Sequence, residues 1–400
     1  MPQIRGRRVP SQILIAPNAF KGTLTAAEAA RAITEGVNSA WPGTNCRSTP
    51  LADGGDGFLE TLMAGREADI VTRQVAGPLL APVWARAGRR LADEGATAVL
   101  ELAASSGLSL IPHPTPHTAA RASTMGLGEL ILDMIAGGAE EIWIGLGGSA
   151  STDGGAGMAQ ALGFGLLDSK GDQIRAGGIG LGELDRIDAR DVSPLLGQAR
   201  IVAACDVDNP LLGPRGAAAA FAPQKGADLP TVQRLEHGLA RLAQIVERDL
   251  RLAPIGIQPG MGAAGGTAFG LASFAGARLE SGVSVVAAWV GLDRALEEAD
   301  LVITGEGRFD LASLRGKVTG EVLLRSAQLG VPCLVLAGSA EPESEAAARE
   351  LGGWLFLAPG EGGLTPVNQV AAYSRLREAT RRACLELYAS NPEPGGGLRA

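Results

Sequence analysis

The chain has 400 residues, of which 46% are hydrophobic and 20% charged, and a formal net charge of −8. That length suits two or three domains at roughly 100–200 residues each, and the apolar content excludes wholesale disorder. The negative balance excludes nucleic acid or an anionic membrane as the main partner, because both need a basic footprint, so an anionic ligand would need a local cluster of cations.

The first residues, "MPQIRGRRVPSQ", are basic but lack the apolar core of a signal peptide. No apolar run reaches the length of a membrane span. Cys46, Cys205, Cys333 and Cys384 lie far apart with no CxxC spacing, which points to a reducing cytoplasm and against a disulfide framework or zinc site. His113 and His117 sit among prolines that oppose an i,i+4 helical metal pair. Gly-rich clusters at 54–57, 145–157, 260–270 and 305–307 suggest backbone brought close to a ligand.

In chain order, 12–16 reads as a buried strand. A helix follows, with Thr25 and Glu28 spaced as a capping box. Strands are expected near 69–75, 82–88 and 97–102, then a proline-rich loop at 105–118. Helices are expected at 124–136 and near 154–163, and strands at 141–145, 164–168 and 200–205. Residues 230–250 show the clearest amphipathic period, with Leu235, Leu239, Leu242, Ile245 and Val246 on one face. After 300, strands at 301–304, 332–336 and 354–357 alternate with helices at 319–329, 341–351 and 366–390, a βαβ pattern with a parallel sheet. The tail, 391–400, reads as disordered. The two ends read as one discontinuous α/β domain, 1–76 with 286–400, and 77–285 as an inserted α/β domain.

Six stretches could carry chemistry. In "ILIAPNAFKG", Lys21 stands between a strand end and a helix start, where ligands of α/β sheets gather. In "PLADGGDGF", Asp53 and Asp56 flank Gly54-Gly55; carboxylates there can hold Mg²⁺ or accept a hydroxyl proton, and an Asp-capped turn would use the same residues. In "EIWIGLGGSASTDGGAGM", a strand enters a loop of small residues whose N–H groups can hold an anion. Gly145, Gly147 and Ala150 also fit GxGxxA, with Asp168 further on, so an NAD-dependent oxidoreductase competes, although "STDGG" should break the helix that fingerprint requires. "ACDVDNPLLGPRGAAAAFAPQKGA" offers Asp206, Asp208, Asn209, Arg215 and Lys225, or simply a solvated turn. "PGMGAAGGTAFGL" reads as small residues allowing close packing. In "VITGEGRFDLASLRGKV", a strand is expected to end at Thr304 in a turn through Gly305 and Gly307. That turn would gather Glu306, Arg308, Asp310, Arg315 and Lys317 into a phosphate-and-metal site.

In their order and spacing these stretches resemble the glycerate kinase family, the bacterial branch that acts on D-glycerate. Asn18-Ala19, Asp56, Phe58 and Ser151-Thr152 depart from the family's usual residues, while the lysine, glycines and acids stand. The resemblance implies a Rossmann- or flavodoxin-like first domain from both chain ends, an inserted α/β domain and an active site in the cleft between them. It implies ATP-dependent phosphorylation of glycerate, usually to 2-phosphoglycerate; a 3-kinase is the alternative.

Phosphoryl transfer rests on positioning and charge neutralisation. Arg308, Arg315 and Lys317 are therefore expected to hold phosphate or the glycerate carboxylate, with Lys317 assigned to the nucleotide and Arg315 to the substrate. Glu306 and Asp310 are expected to bind Mg²⁺ or orient the hydroxyl. Gly147, Gly148, Ser149, Ser151, Asp153 and Gly154 are expected to cradle ATP phosphates, and Lys21 to neutralise the transferring group. Asp53 or Asp206 would take the hydroxyl proton, and Asn209 and Gly54 would contact substrate. ATP, Mg²⁺ and D-glycerate are the expected small molecules; monomer and homodimer both stay open.

Overall fold

The computed structural model describes residues 9–20, 22–55, 57–63, 68–92, 95–314, 316–358 and 369–389. The chain forms two compact units, Met1–Asp53 with Val283–Ala400, and Gly54–Gly282. The first unit opens with strands β1 (Gln12–Ile15) and β2 (Asn45–Ser48). The second carries β3 (Ala68–Ala76), β4 (Pro82–Ala92), β5 (Gly95–Glu101), β6 (Glu141–Gly145), β7 (Gly165–Leu167), β8 (Arg186–Asp188), β9 (Arg200–Ala204) and β10 (Arg278–Glu280). The chain then returns to the first unit with β11 (Leu301–Phe309), β12 (Cys333–Ala340) and β13 (Gly353–Leu357).

The sheet of the first unit is parallel throughout, in the order β13-β12-β11-β1-β2. Counted within that unit, the strands run 2-1-3-4-5, the flavodoxin-like order, whose direction reverses between β1 and β11. Its core is built from Ile13, Ile15, Ile33, Val37, Leu301, Ile303, Leu334 and Leu336, which sheet and helices cover on both faces. Thr25 and Glu28 do form the capping box of helix Ala26–Ala40: Thr25 Oγ1 accepts from Glu28 N at 3.2 Å, and Glu28 Oε2 accepts from Thr25 N at 2.9 Å.

The second unit is a mixed sheet, β10-β9-β6-β5-β4-β3. Strands β10, β9, β6 and β5 are parallel, and β4 and β3 add an antiparallel edge. Leu100, Leu130, Ile142, Ile144, Leu239 and Phe269 fill its core. The amphipathic segment forms helix Leu229–Leu250, with Asp228 as its cap. The expected α/β class holds for both units.

Several expectations change. The first junction falls at Asp53–Gly54, not after residue 76, because β3 pairs along its whole length with β4, from Ala68↔Arg90 to Ala76↔Pro82. The second falls at Gly282–Val283 instead of before 286. Strand β2 carried no sequence signal because its four residues, Asn-Cys-Arg-Ser, lie mostly exposed at a sheet edge. The loop at 105–118 contains the start of helix Pro116–Arg121, with Pro116 in the first turn and a Thr115–Thr118 reciprocal cap. Strand β11 does not stop at Thr304. It runs through the glycines to Phe309, with Glu306 opposite Ala337 and Arg308 opposite Ser339. A side chain at Gly305 would drive into the carbonyl oxygen of Leu336, so glycine there serves sheet packing.

Candidate functional site

In the first unit, the strand order places the ligand end of the sheet at the carboxyl ends of β1 and β11. Past the end of β1 the backbone stays hydrogen-bonded to β11. Ala16 N donates to Ile303 O at 2.8 Å, and Asn18 N to Gly305 O at 2.9 Å. The Thr304 hydroxyl donates to Ala16 O at 2.8 Å. On the other side, Leu51 N donates to Pro17 O at 3.0 Å, which carries the chain to a half-buried Asp53.

Glu306 is the most unusual side chain of this end. It is 8% exposed, and its Oε1 has no hydrogen-bond partner among the described residues. Burial pushes its carboxyl above the usual range; the Ser313 and Thr319 hydroxyls and the Lys317 ammonium offset this in part. The buried Thr319 hydroxyl lies close enough to act on the Glu306 carboxyl but outside hydrogen-bond geometry with any described residue. Lys317 is half-buried and occupies the cap position of helix Val318–Leu329. Arg308 projects outward, 2.7 Å from Glu341 and 3.8 Å from Asp310. Such exposed pairs contribute little, so an anionic ligand could take the guanidinium from them. Asp310 also accepts from Ser313 N at 3.0 Å, which fixes the turn after β11. Lys21, Asp56 and Arg315 lie outside the described residues.

In the second unit, the glycine loop leaves the carboxyl end of β6, a central strand of the parallel part. Gly147 N donates to Gly54 O at 3.2 Å, so Gly54 lies against the loop. A Cβ on Gly147 would come within 2.5 Å of Gly55 Cα, which leaves no room for another residue type. Gly148 is exposed, and Ser149 is 8% exposed.

The rest of the loop turns inward. Ser151 and Asp153 are fully buried and Gly154 is buried, so they do not meet solvent as phosphate ligands would. Asp153 Oδ2 accepts from Thr124 N and Oγ1, both at 2.9 Å, and from Gly157 N at 3.2 Å; its Oδ1 accepts from Gly155 N at 3.2 Å. Burial pushes its carboxyl up, and these bonds oppose the shift. Gly154 N donates to Gly265 O at 3.1 Å. These residues are the frame of the loop. The stretch "PGMGAAGGTAFGL" packs behind that frame, as its small residues suggested.

Lys225 is the residue the sequence placed least well. It looked like one cation of a polar turn, yet it is 2% exposed, with Nζ 2.5 Å from Ser151 O and 3.4 Å from Ser149 Oγ. Burial lowers its pKa from 10.5 to about 7, against the attraction of Asp153. The available signal was a single lysine between an alanine-rich helix and a glycine. Asp206 and Asn209 follow β9. Asp206 Oδ1 accepts from Ser281 Oγ at 3.0 Å and Gly282 N at 2.9 Å. Asn209 Nδ2 donates to Arg215 O at 2.7 Å, and Arg215 pairs with Asp208 at 2.7 Å.

The dinucleotide alternative fails on geometry. The helix after the loop starts only at Ala156, well past the second glycine. Asp168 caps its own turn by accepting from Lys170 N at 2.8 Å.

The sequence profile of the glycerate kinase family matches residues 13–384. The chain belongs to the glycerate kinase family. A glycerate kinase of Bacillus subtilis is 42% identical over 84% of this chain and 87% of its own length. A glycerate 2-kinase of Escherichia coli is 40% identical over 82% and 85%. A crystal structure from Salmonella typhimurium LT2, provisionally named glycerate kinase 2, superposes with a TM-score of 0.81 at 37% identity, covering 95% of this chain and 99% of that one. The expectation that the chain is an enzyme of this family stands on these findings, as does the expected fold.

Among the described residues no helix is long and apolar enough to cross a membrane, and no group of three or more His, Cys, Asp and Glu could hold a metal ion. Mg²⁺ does not need such a group, since one or two carboxylates can hold it when substrate phosphates and water complete the shell. The unpartnered Glu306 Oε1 is a donor of the right kind, and Asp310 stands near it.

Proposed function

We propose that the chain transfers the γ-phosphoryl group of ATP to D-glycerate, giving ADP and 2-phosphoglycerate. The observation that carries this reading is Glu306: a buried carboxylate with an open oxygen, in the strand that forms the switch point, beside Lys317. A buried carboxylate oxygen without a hydrogen bond costs stability unless a ligand satisfies it.

On this reading Glu306 and Asp310 would hold Mg²⁺, which would supply positive charge against the nucleotide phosphates. Arg308 leaves its surface partners for phosphate or the glycerate carboxylate, and Lys317 binds the nucleotide. Lys21 and Arg315 keep the roles of phosphoryl neutraliser and substrate cation. Gly147, Gly148 and Ser149, of which Gly148 is exposed, Gly147 half-buried and Ser149 buried at the loop's turn inward, receive phosphate; Ser151, Asp153, Gly154 and Lys225 hold that part of the loop in shape. Asp53 takes the hydroxyl proton more readily than Asp206, whose carboxylate already fixes Ser281 and Gly282. Asn209 and Gly54 complete the substrate side. A cytoplasmic location suits the scattered cysteines.

The 2-hydroxyl is favoured because Arg308 adjoins Asp310, one of the two acids assigned to the metal, which would anchor the carboxylate close to the phosphate path. The test is to incubate the protein with ATP, Mg²⁺ and D-glycerate and record the phosphorus NMR spectrum. A CH-coupled doublet supports the reading. A CH₂-coupled triplet would make the product 3-phosphoglycerate, and glycerate-independent ADP release would remove the reading altogether.

A further inference from the structure

The second unit has a cavity of about 530 Å³ that shares no wall residue with the glycine loop, Gly54, Asp206 or Asn209. Its size lies within the range of roughly 300–1,000 Å³ typical of small-molecule sites. Four separate segments meet there: the β3–β4 turn, helix Pro116–Arg121, residues 175–179 and the first turns of helix Leu229–Leu250.

One wall is apolar and held rigidly. Leu79 and Leu80 are each 43% exposed, unusual for leucines in a tight turn. Leu80 has a left-handed backbone, φ 69°, which glycine adopts freely and leucine only at a cost. The turn is closed by Leu80 N donating to Gly77 O at 2.9 Å, and tied down by Ser123 N donating to Pro78 O at 2.9 Å. These bonds hold the strained turn with two large apolar side chains lining the cavity, and Ile179 lines it from another segment.

The rest of the lining is mixed and carries three arginines. Arg121, Arg175 and Arg234 come from three different segments, against one carboxylate, Asp228. That carboxylate is committed to capping its helix, accepting from Thr231 N at 3.0 Å. Arg175 pairs with Glu183, and Arg234 donates to the Thr231 hydroxyl at 3.1 Å. The Arg121 guanidinium has no hydrogen bond or ion pair among the described residues. In a chain of net charge −8, this is a local reversal of sign.

We infer that this cavity is a second small-molecule site, for an organic anion with an apolar body: the leucine wall takes the body, and the three guanidiniums take a phosphate, sulfonate or carboxylate. Guanidinium suits both tasks, since it binds oxyanions in a bidentate fork and stacks on flat apolar groups. The inference is independent of the reaction proposed above.

The test uses 8-anilinonaphthalene-1-sulfonate as a fluorescent probe on the full chain. Binding near one per chain is expected, with displacement by 1-naphthyl phosphate at concentrations at least tenfold below those at which inorganic phosphate acts. The double variant Arg121→Gln/Arg234→Gln should weaken the probe about tenfold or more. Leu80→Gly should weaken it several-fold without lowering Tm, because glycine relieves the strained backbone while removing the wall; this arm tests the cavity even if the double variant does not fold. Affinities within twofold of the parent in the variants would overturn the inference. So would competitive displacement by ADP, which would make the cavity a nucleotide site instead of a second one.

Discussion

The Nζ of Lys225 lies 2.5 Å from the main-chain oxygen of Ser151, in the buried half of the glycine loop. A lysine so placed titrates near 7 instead of 10.5, because burial disfavours its charge. Between those two values the unfolded chain binds a proton that the folded chain does not, so this residue makes stability rise with pH from about 7 towards 10.5. Lys225→Met keeps the bulk and removes the titration. Urea unfolding at pH 6, 7.5 and 9 should show a smaller gain with pH in the variant than in the parent; parallel curves would show that the ammonium carries no such linkage.

Glu306→Gln separates function from stability. The buried carboxylate is held above its normal pKa of 4.5 mainly by burial, so its charged form destabilises the fold at neutral pH. The amide removes that charge. Its Tm at pH 7.5 should match or exceed the parent's by a few degrees, whereas kcat/KM should fall by about 10² or more if the oxygen holds the metal. A variant with full activity would sink the assignment of Glu306.

The frame behind the loop can be tested through glycine. Gly265 has φ +68°, and a side chain there would drive into the carbonyl of Ser151. Gly265→Ala should cost on the order of 1–3 kcal/mol, from backbone strain and overpacking together. Gly182→Ala, at a site with nothing within 4 Å, is the control and should change stability by less than about 0.5 kcal/mol. Equal unfolding midpoints for the two would contradict the close packing of the loop.

Divalent ions provide a fourth test. With carboxylates but no histidine at the carboxyl end of the parallel sheet, hard cations such as Mg²⁺ or Mn²⁺ should support activity, and softer Zn²⁺ should be a poor substitute. Activity should vanish in excess chelator and return on adding Mg²⁺. Full turnover in chelator would mean that these acids act without a metal.

The local sequence determined much of this protein. Apolar runs fixed β1, β6, β9 and the start of β11, and the Thr25–Glu28 spacing fixed a helix start, because these depend on neighbours along the chain. The order of six motifs was enough to mark the family. Tertiary structure alone decided three things. Residues 305–309 belong to a strand because β12 lies alongside to pair with them; charge and glycine had suggested a turn. β3 went to the second unit because β4, not the parallel sheet, supplied its partner. Lys225 became an interior residue because Ser149 and Ser151 fold back over it from 74 or more residues away in sequence. Hydrogen-bond partners and burial are set by segments distant along the chain, and no local pattern reports them.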